Sequence, residues 1–259
     1  MSSPEVVIHR DAGLLAEAIA ARLVTGLVDA QSSQEHAHLV LTGGTIGTAL
    51  LGCVRASRAR DAVDWSRLQV WWGDERFVPD GDPDRNEGQA RAALLDHVPL
   101  PAGNIHPMAG SSGASTPERS ADLYADALAG APGADPRSGL PAFDILLLGI
   151  GPDAHVASLF PENPAIHETE RMTVAVHGSP KPPPIRVSLT LPAIRSAREV
   201  WVVAAGAEKA RAVRLALDPH AGPLQVPASA ARGQRRTLFL VDEAAASQLP
   251  QGLQRIASP

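Results

Sequence analysis

The sequence predicts a single α/β domain, residues 1–259, built on an open, mostly parallel sheet covered by helices. Three observations carry this expectation. Apolar, strand-like runs alternate with helically spaced segments along the whole chain. Several runs, such as "DILLLGIG" (144–151) and "EVWVVAAG" (199–206), are continuous rather than alternating, as in strands buried on both faces. The length of 259 residues suits one large α/β unit, and no internal repeat or break divides it.

Taken in order, "VVIHR" (6–10) predicts a short strand. The following segment, 11–30, is a helix with Asp11 as its N-cap and apolar residues at helical spacing. "HLVLTGG" (38–44) is a strand ending in glycines, and 46–59 is the next helix. "LQVWWGDERFVP" (68–79) predicts one strand that stops in a charged loop, followed by a helix over 85–98. Gly, Ser and Pro mark 107–117 and 130–142 as surface loops around a helix at 118–129. Strands follow at 143–151, 172–178, 186–191 and 199–206, then a helix at 207–217. Finally, 237–249 is a strand running into a helix.

Composition excludes several function classes. A formal net charge of −5 leaves no basic field to attract nucleic acid or an anionic membrane. An anionic substrate therefore needs a local cluster of donors. Cys53 is the one cysteine, so neither an intrachain disulfide nor a Cys-based zinc site is available. The opening "MSSPEVVIHRD" has no basic-then-apolar leader pattern, and no apolar run reaches membrane-spanning length. The expected location is cytoplasmic. Oligomeric state has no signature in the sequence.

The chemistry-bearing residues fall at one kind of place. "TGGT", "GDER", "GIGPDAH" and "AAGAEK" each directly follow an apolar strand. Ligands of open α/β sheets bind at the carboxyl ends of strands, so four such loops suggest one site.

In "TGGT", Gly43, Gly44 and Thr45 stand between a strand and a helix, where glycines allow close backbone approach and free amides favour an anion. A plain tight turn has the same composition. The stretch is neither a P-loop nor G-x-G-x-x-G, which argues against nucleoside triphosphates and dinucleotides. In "GDER", Asp74, Glu75 and Arg76 cannot all face one ligand, because neighbours in a strand point opposite ways. Arg76 can fork onto a phosphate or carboxylate. An internal ion pair, with Asp74 or Glu75 holding structure, explains the stretch equally well.

"GIGPDAH" sets Asp153 and His155 two residues apart, so that the carboxylate can orient the ring. Imidazole is suited to accepting a proton near neutral pH. Of the nine histidines, His155 is the one framed by glycines at a strand end. The prolines of "SPKPPPIRV" stiffen a segment bearing Lys181 and Arg186. Lys209 stands where a helix begins, as an anion anchor or as a solvated surface lysine.

Together these stretches resemble the 6-phosphogluconolactonase family. "TGGT", "WWGDERFVP" with Asn86 after it, "LLLGIGPDAHVASLFP", "SPKPPPIRVSLTLPAI" and "GAEKA" occur in the family's order over roughly Val6 to Val241. The resemblance implies a modified Rossmann-like fold shared with sugar-phosphate isomerases and deaminases. It implies hydrolysis of 6-phospho-D-glucono-1,5-lactone without metal or organic cofactor. The family's catalytic histidine maps onto His155 and its carboxylate neighbour onto Asp153. The substrate-binding arginine and lysine map onto Arg76 and Lys209, with Asp74, Arg186 and the Gly43–Gly44–Thr45 turn as further contacts.

Two departures stand out. Ala154 replaces the glycine usual before the histidine, which is costly if that position needs a positive φ. Pro152 removes an amide that might have donated to a ligand. The rival readings are an amino-sugar phosphate deaminase/isomerase and a non-catalytic sugar-phosphate sensor. "SLFP" and "PKPPP" speak against the first, and the Asp153–His155 pair against the second. No G-x-S-x-G elbow supports serine hydrolase chemistry.

Overall fold

The computed structural model describes residues 2–250 and Gly252; the remaining positions of the expected 1–259 domain lie outside the described residues. Six strands form the main sheet: β1 (Pro4–His9), β2 (Ala37–Leu41), β3 (Leu68–Trp72), β5 (Ile145–Gly149), β8 (Glu199–Ala204) and β9 (Arg236–Asp242). Their order is β1-β9-β8-β5-β2-β3, and every pairing is parallel.

Alternate residues of these strands feed two separate cores, as the period of two requires. Leu39, Leu41, Val70, Trp72, Ile145 and Leu147 pack on one face with α1 (Ala12–Ser33) and α2 (Gly44–Ala56). Val40, Trp71, Leu146 and Leu148 face the opposite core, which includes Tyr124 and Leu128 of α4 (Pro117–Ala129) and Val213 of α6 (Ala210–Ala216). The continuous apolar strands of the sequence are therefore central strands covered on both sides. Asp11 caps α1 as expected, its side chain accepting from the Leu14 amide at 2.8 Å.

The structure corrects one predicted strand. "LQVWWGDERFVP" is two strands in two sheets: β3, and β4 (Asp74–Arg76), which pairs antiparallel with β7 (Arg186–Leu189). β7 pairs in turn with β6 (Thr173–Val176), completing a three-stranded sheet, β4-β7-β6. Gly73 is the crossing point. Its amide donates to Leu41 of the main sheet at 3.0 Å, while its carbonyl accepts from Leu189 of the small sheet at 2.8 Å. A period-two pattern does not reveal a change of partner, so the break was invisible in sequence.

The predicted helix at 85–98 shortens to α3 (Asn86–Ala93), followed by a 3₁₀ turn. The one at 207–217 becomes a 3₁₀ turn and α6. The short α5 (Leu191–Ser196), capped by Thr190, was not predicted. Among the described residues, no helix is long and apolar enough to cross a membrane.

Candidate active site

The loops after β3, β2, β5 and β8 are neighbours, because those strands lie side by side in the sheet. From β2 the chain winds outward to β3, and from β5 it winds the other way to β8 and β9. The reversal between β2 and β5 opens a crevice at the carboxyl ends of the strands, the usual ligand position in such sheets. A cavity of about 230 Å³ fills it, and residues from all four loops line it, as does the loop before β7.

His155 enters this cavity from the loop after β5, with its side chain 12 % exposed. Its Nδ1 lies 2.5 Å from Asp153 Oδ1. With the proton on Nδ1 donated to the carboxylate, Nε2 is the nitrogen left to act on a ligand. Burial pushes the Asp153 carboxyl upward, but the hydrogen bond and charge of His155 outweigh it and hold the group below its ordinary value. The ring also packs on Phe160, centroid to centroid 4.4 Å, which restricts its tilt.

The backbone that presents this pair is a tight turn. Gly151 donates to the His155 carbonyl at 3.0 Å, and Ala154 donates to Gly151 at 2.9 Å. Ala154 has φ +65°, so the position does adopt the conformation glycine favours. Its methyl is buried, and its carbonyl accepts from Ala228 at 3.0 Å. Tertiary contacts thus hold a backbone that local preference disfavours. At Gly151, a Cβ would overlap the His155 ring and the Asp153 carboxylate. That glycine is there to make room for the pair.

Cations line the same cavity. Arg76, Lys181, Arg186 and Lys209 all border the cavity. Arg76 donates to the Asp84 carbonyl, and its Nε is buried without a protein partner. Arg186 is buried; it donates to the carbonyls of Lys181, Pro182 and Pro183 at 3.1–3.3 Å, so it organises the proline loop. Its guanidinium stands 5.7 Å from the Phe160 ring centre, so one aromatic ring supports both His155 and Arg186. Burial, and then the charge of Lys181, lower the Lys209 ammonium from its usual range.

Asp74 borders the cavity but is held internally. Its Oδ2 accepts from Ser158 Oγ at 2.6 Å and lies 3.8 Å from Arg186 Nη1. Glu75 points away, as alternation demands, and accepts from the amides of Arg76, Asn86 and Glu87 at 2.8–2.9 Å. The two neighbours in "GDER" face opposite ways. Glu75 is structural, and Arg76 faces the cavity.

Gly43 and Gly44 line the cavity at the start of α2, where Gly44 has φ +83°. Thr45 does not line it. Thr45 borders a larger adjoining cavity of about 740 Å³, which shares Gly43, Gly44 and Lys209 with the first. Thr42, unremarked in sequence, takes the position beside the glycines, and its Oγ1 accepts from the Gly149 amide at 3.0 Å, tying β2 to β5. Ser158 and Phe160 were visible only as parts of "SLFP"; their supporting roles needed the fold. Among the described residues, no three His, Cys, Asp or Glu side chains cluster as metal ligands would.

Residues 10–240 match the family model for glucosamine-6-phosphate isomerases/6-phosphogluconolactonase. A 6-phosphogluconolactonase of Streptomyces coelicolor is 59 % identical over 258 residues, covering 99 % of this chain and 98 % of that protein. One from Mycobacterium tuberculosis is 46 % identical over 252 residues, 96 % of this chain and 99 % of that one. The solved structure of 6-phosphogluconolactonase from Trypanosoma brucei superposes with a TM-score of 0.82 at 28 % identity, covering 96 % of this chain and all of that one. With the family model matching most of the chain and relatives similar over its full length, the chain belongs to the glucosamine-6-phosphate isomerase/6-phosphogluconolactonase family.

Proposed function

We propose that the protein hydrolyses 6-phospho-D-glucono-1,5-lactone to 6-phospho-D-gluconate, the lactone-opening step of the oxidative pentose phosphate pathway. The observation that carries the reading is that His155, backed by Asp153, opens on the same cavity as Arg76, Lys209 and the Gly43–Gly44 turn. The names of the full-length relatives support it. A cytoplasmic location fits this activity and the lone Cys53.

The chemistry follows from the residues that line the cavity. His155 Nε2 takes a proton from a water above the lactone C1 as the water oxygen bonds to that carbon. The carbonyl electrons move onto oxygen, where a neighbouring amide or cation stabilises the charge. The tetrahedral intermediate collapses with cleavage of the bond from C1 to the ring oxygen. His155 returns its proton to that oxygen, and the product leaves as an open-chain acid. Asp153 holds the Nδ1 proton in place throughout, so that Nε2 is the nitrogen that gains and returns a proton. Arg76, Lys209 and the α2 amides hold the remote phosphate, whose binding energy fixes the ring relative to His155.

A stopped assay with freshly made phospholactone, corrected for spontaneous opening, tests the reading. Protein-dependent loss of lactone with equimolar 6-phosphogluconate is expected. Ammonia release from glucosamine 6-phosphate, without lactone loss, would overturn it in favour of a deaminase.

A further inference from the structure

The buried side chain of Asn86, the first residue of α3, touches two parts of the site at once. Its Nδ2 donates to the Asp74 carbonyl at 2.9 Å, on the strand that carries Arg76. Because that contact requires a donor, the amide orientation is settled and Oδ1 faces the other way. There Oδ1 lies against Gly43, where a Cβ would overlap it, and it is buried with no hydrogen-bond partner. Buried amide oxygens are ordinarily satisfied, so one left open beside a ligand cavity marks a place the fold holds for function. The Asn86 amide nitrogen is bound as well, to Glu75 Oε1 at 2.8 Å, so the residue is tied at backbone and side chain alike.

The two contacts join elements from different sheets. Gly43 ends the β2 loop of the main sheet, and Asp74 and Arg76 belong to the small antiparallel sheet. Past Gly73, where the chain crosses between sheets, Asn86 is a wedge between them beside the cavity. Its side chain shares no hydrogen bond with His155 or Asp153.

We propose that Asn86 is a positioning residue that sets the spacing between the Gly43–Gly44 turn and the Arg76 strand, and so the fit of the substrate's phosphoryl group, a role that rests on the function proposed above. Gly43 is glycine because the Asn86 carboxamide occupies the space of its side chain.

The test compares kcat and KM of wild type, Asn86→Ala and Asn86→Ser on 6-phosphogluconolactone and on glucono-1,5-lactone, the same ring without phosphate. Displacing an anchor by a fraction of an ångström to an ångström costs roughly 10–10²-fold. The expected result is a fall of about tenfold in the preference for the phosphorylated substrate, carried by KM, with the plain lactone altered less than about threefold. A merely structural role would lower the active fraction and reduce both substrates by the same factor. That result, or an unchanged preference, overturns the proposal. If Asn86→Ala does not fold, Asn86→Ser is read in the same way. A wild-type protein inert toward the phospholactone would defeat the functional reading instead; the positioning role is then judged by calorimetric binding of 6-phosphogluconate, where an unchanged Kd in the variants overturns it.

Discussion

Gly151 and His155 share one space: the glycine amide donates to the histidine carbonyl at 3.0 Å, and a side chain on Gly151 would stand inside the imidazole. Chemistry at the end of β5 therefore depends on a residue that contributes no functional group. Gly151→Ala should fold, since Gly151 is not among the positive-φ residues, yet lose most of its kcat as the Asp153–His155 pair is displaced. Urea unfolding and steady-state kinetics on the same preparation separate the two effects, and wild-type kcat in this variant would contradict the assignment.

His155→Ala should lower kcat by about 10²–10⁴-fold, the worth of a positioned general base, with little change in KM. Asp153→Asn keeps an acceptor oxygen for Nδ1–H but loses the negative charge that stabilises the imidazolium, so it should cost less than removing the ring, while KM again holds. Rates must be taken above the uncatalysed opening of the lactone. A kcat for His155→Ala within twofold of wild type rules the histidine out.

Arg76→Ala and Lys209→Ala should chiefly raise KM, because both are cations bordering the cavity and neither is part of the Asp153–His155 pair. Each removes a charge-assisted contact, so a loss of about ten- to a hundredfold in kcat/KM is expected. Binding should also weaken as pH rises toward the Lys209 value, which burial and Lys181 place below the ordinary lysine range, since only the ammonium attracts the phosphate. This alkaline limb should vanish in Lys209→Ala. If it persists, another group is responsible.

Ala154 can be tested in both directions. Placing a non-glycine residue at φ +65° costs about 1–2 kcal/mol. Burying the methyl returns about 0.8 kcal/mol, and alanine's smaller unfolded-state entropy about 0.4–1 kcal/mol. The terms nearly cancel, so Ala154→Gly should change stability by less than about 1 kcal/mol. Ala154→Val, β-branched at the same φ and 1 % exposed, should lose at least about 2 kcal/mol. Chemical denaturation of the pair decides it; a tolerated valine would show that the turn does not need this backbone.

His38 predicts how the fold responds to acid. Its Nδ1 accepts from Trp71 Nε1 at 3.2 Å and its Nε2 donates to the Pro132 carbonyl at 3.0 Å, an arrangement suited to the neutral ring. Burial is the main cause that lowers its pKa from 6.5 to about 4. The unfolded chain therefore binds more protons between these values, and stability falls as pH drops from about 6.5 to about 4. The span corresponds to about 3 kcal/mol. His38→Asn, which keeps an acceptor for Trp71, should show a shallower loss over that window in urea titrations at successive pH values. An identical slope would assign the acid sensitivity elsewhere.

The sequence by itself determined a mostly parallel sheet covered by helices, and it brought to one edge four strand-end loops that border a common cavity. Apolar period and capping residues are local properties, so Asp11 and the runs at β2, β5 and β8 were legible without coordinates. Asp153 and His155 were legible too, because a separation of two residues constrains their meeting almost as tightly as a fold does. Only the tertiary structure decided which residues share the cavity. Glu75 turns inward to cap α3 while Arg76 faces the ligand space, Thr42 replaces Thr45 beside the glycines, and Gly73 passes the chain between two sheets. Those outcomes depend on partners more than ten residues away in the chain, and spacing along the chain holds no record of them.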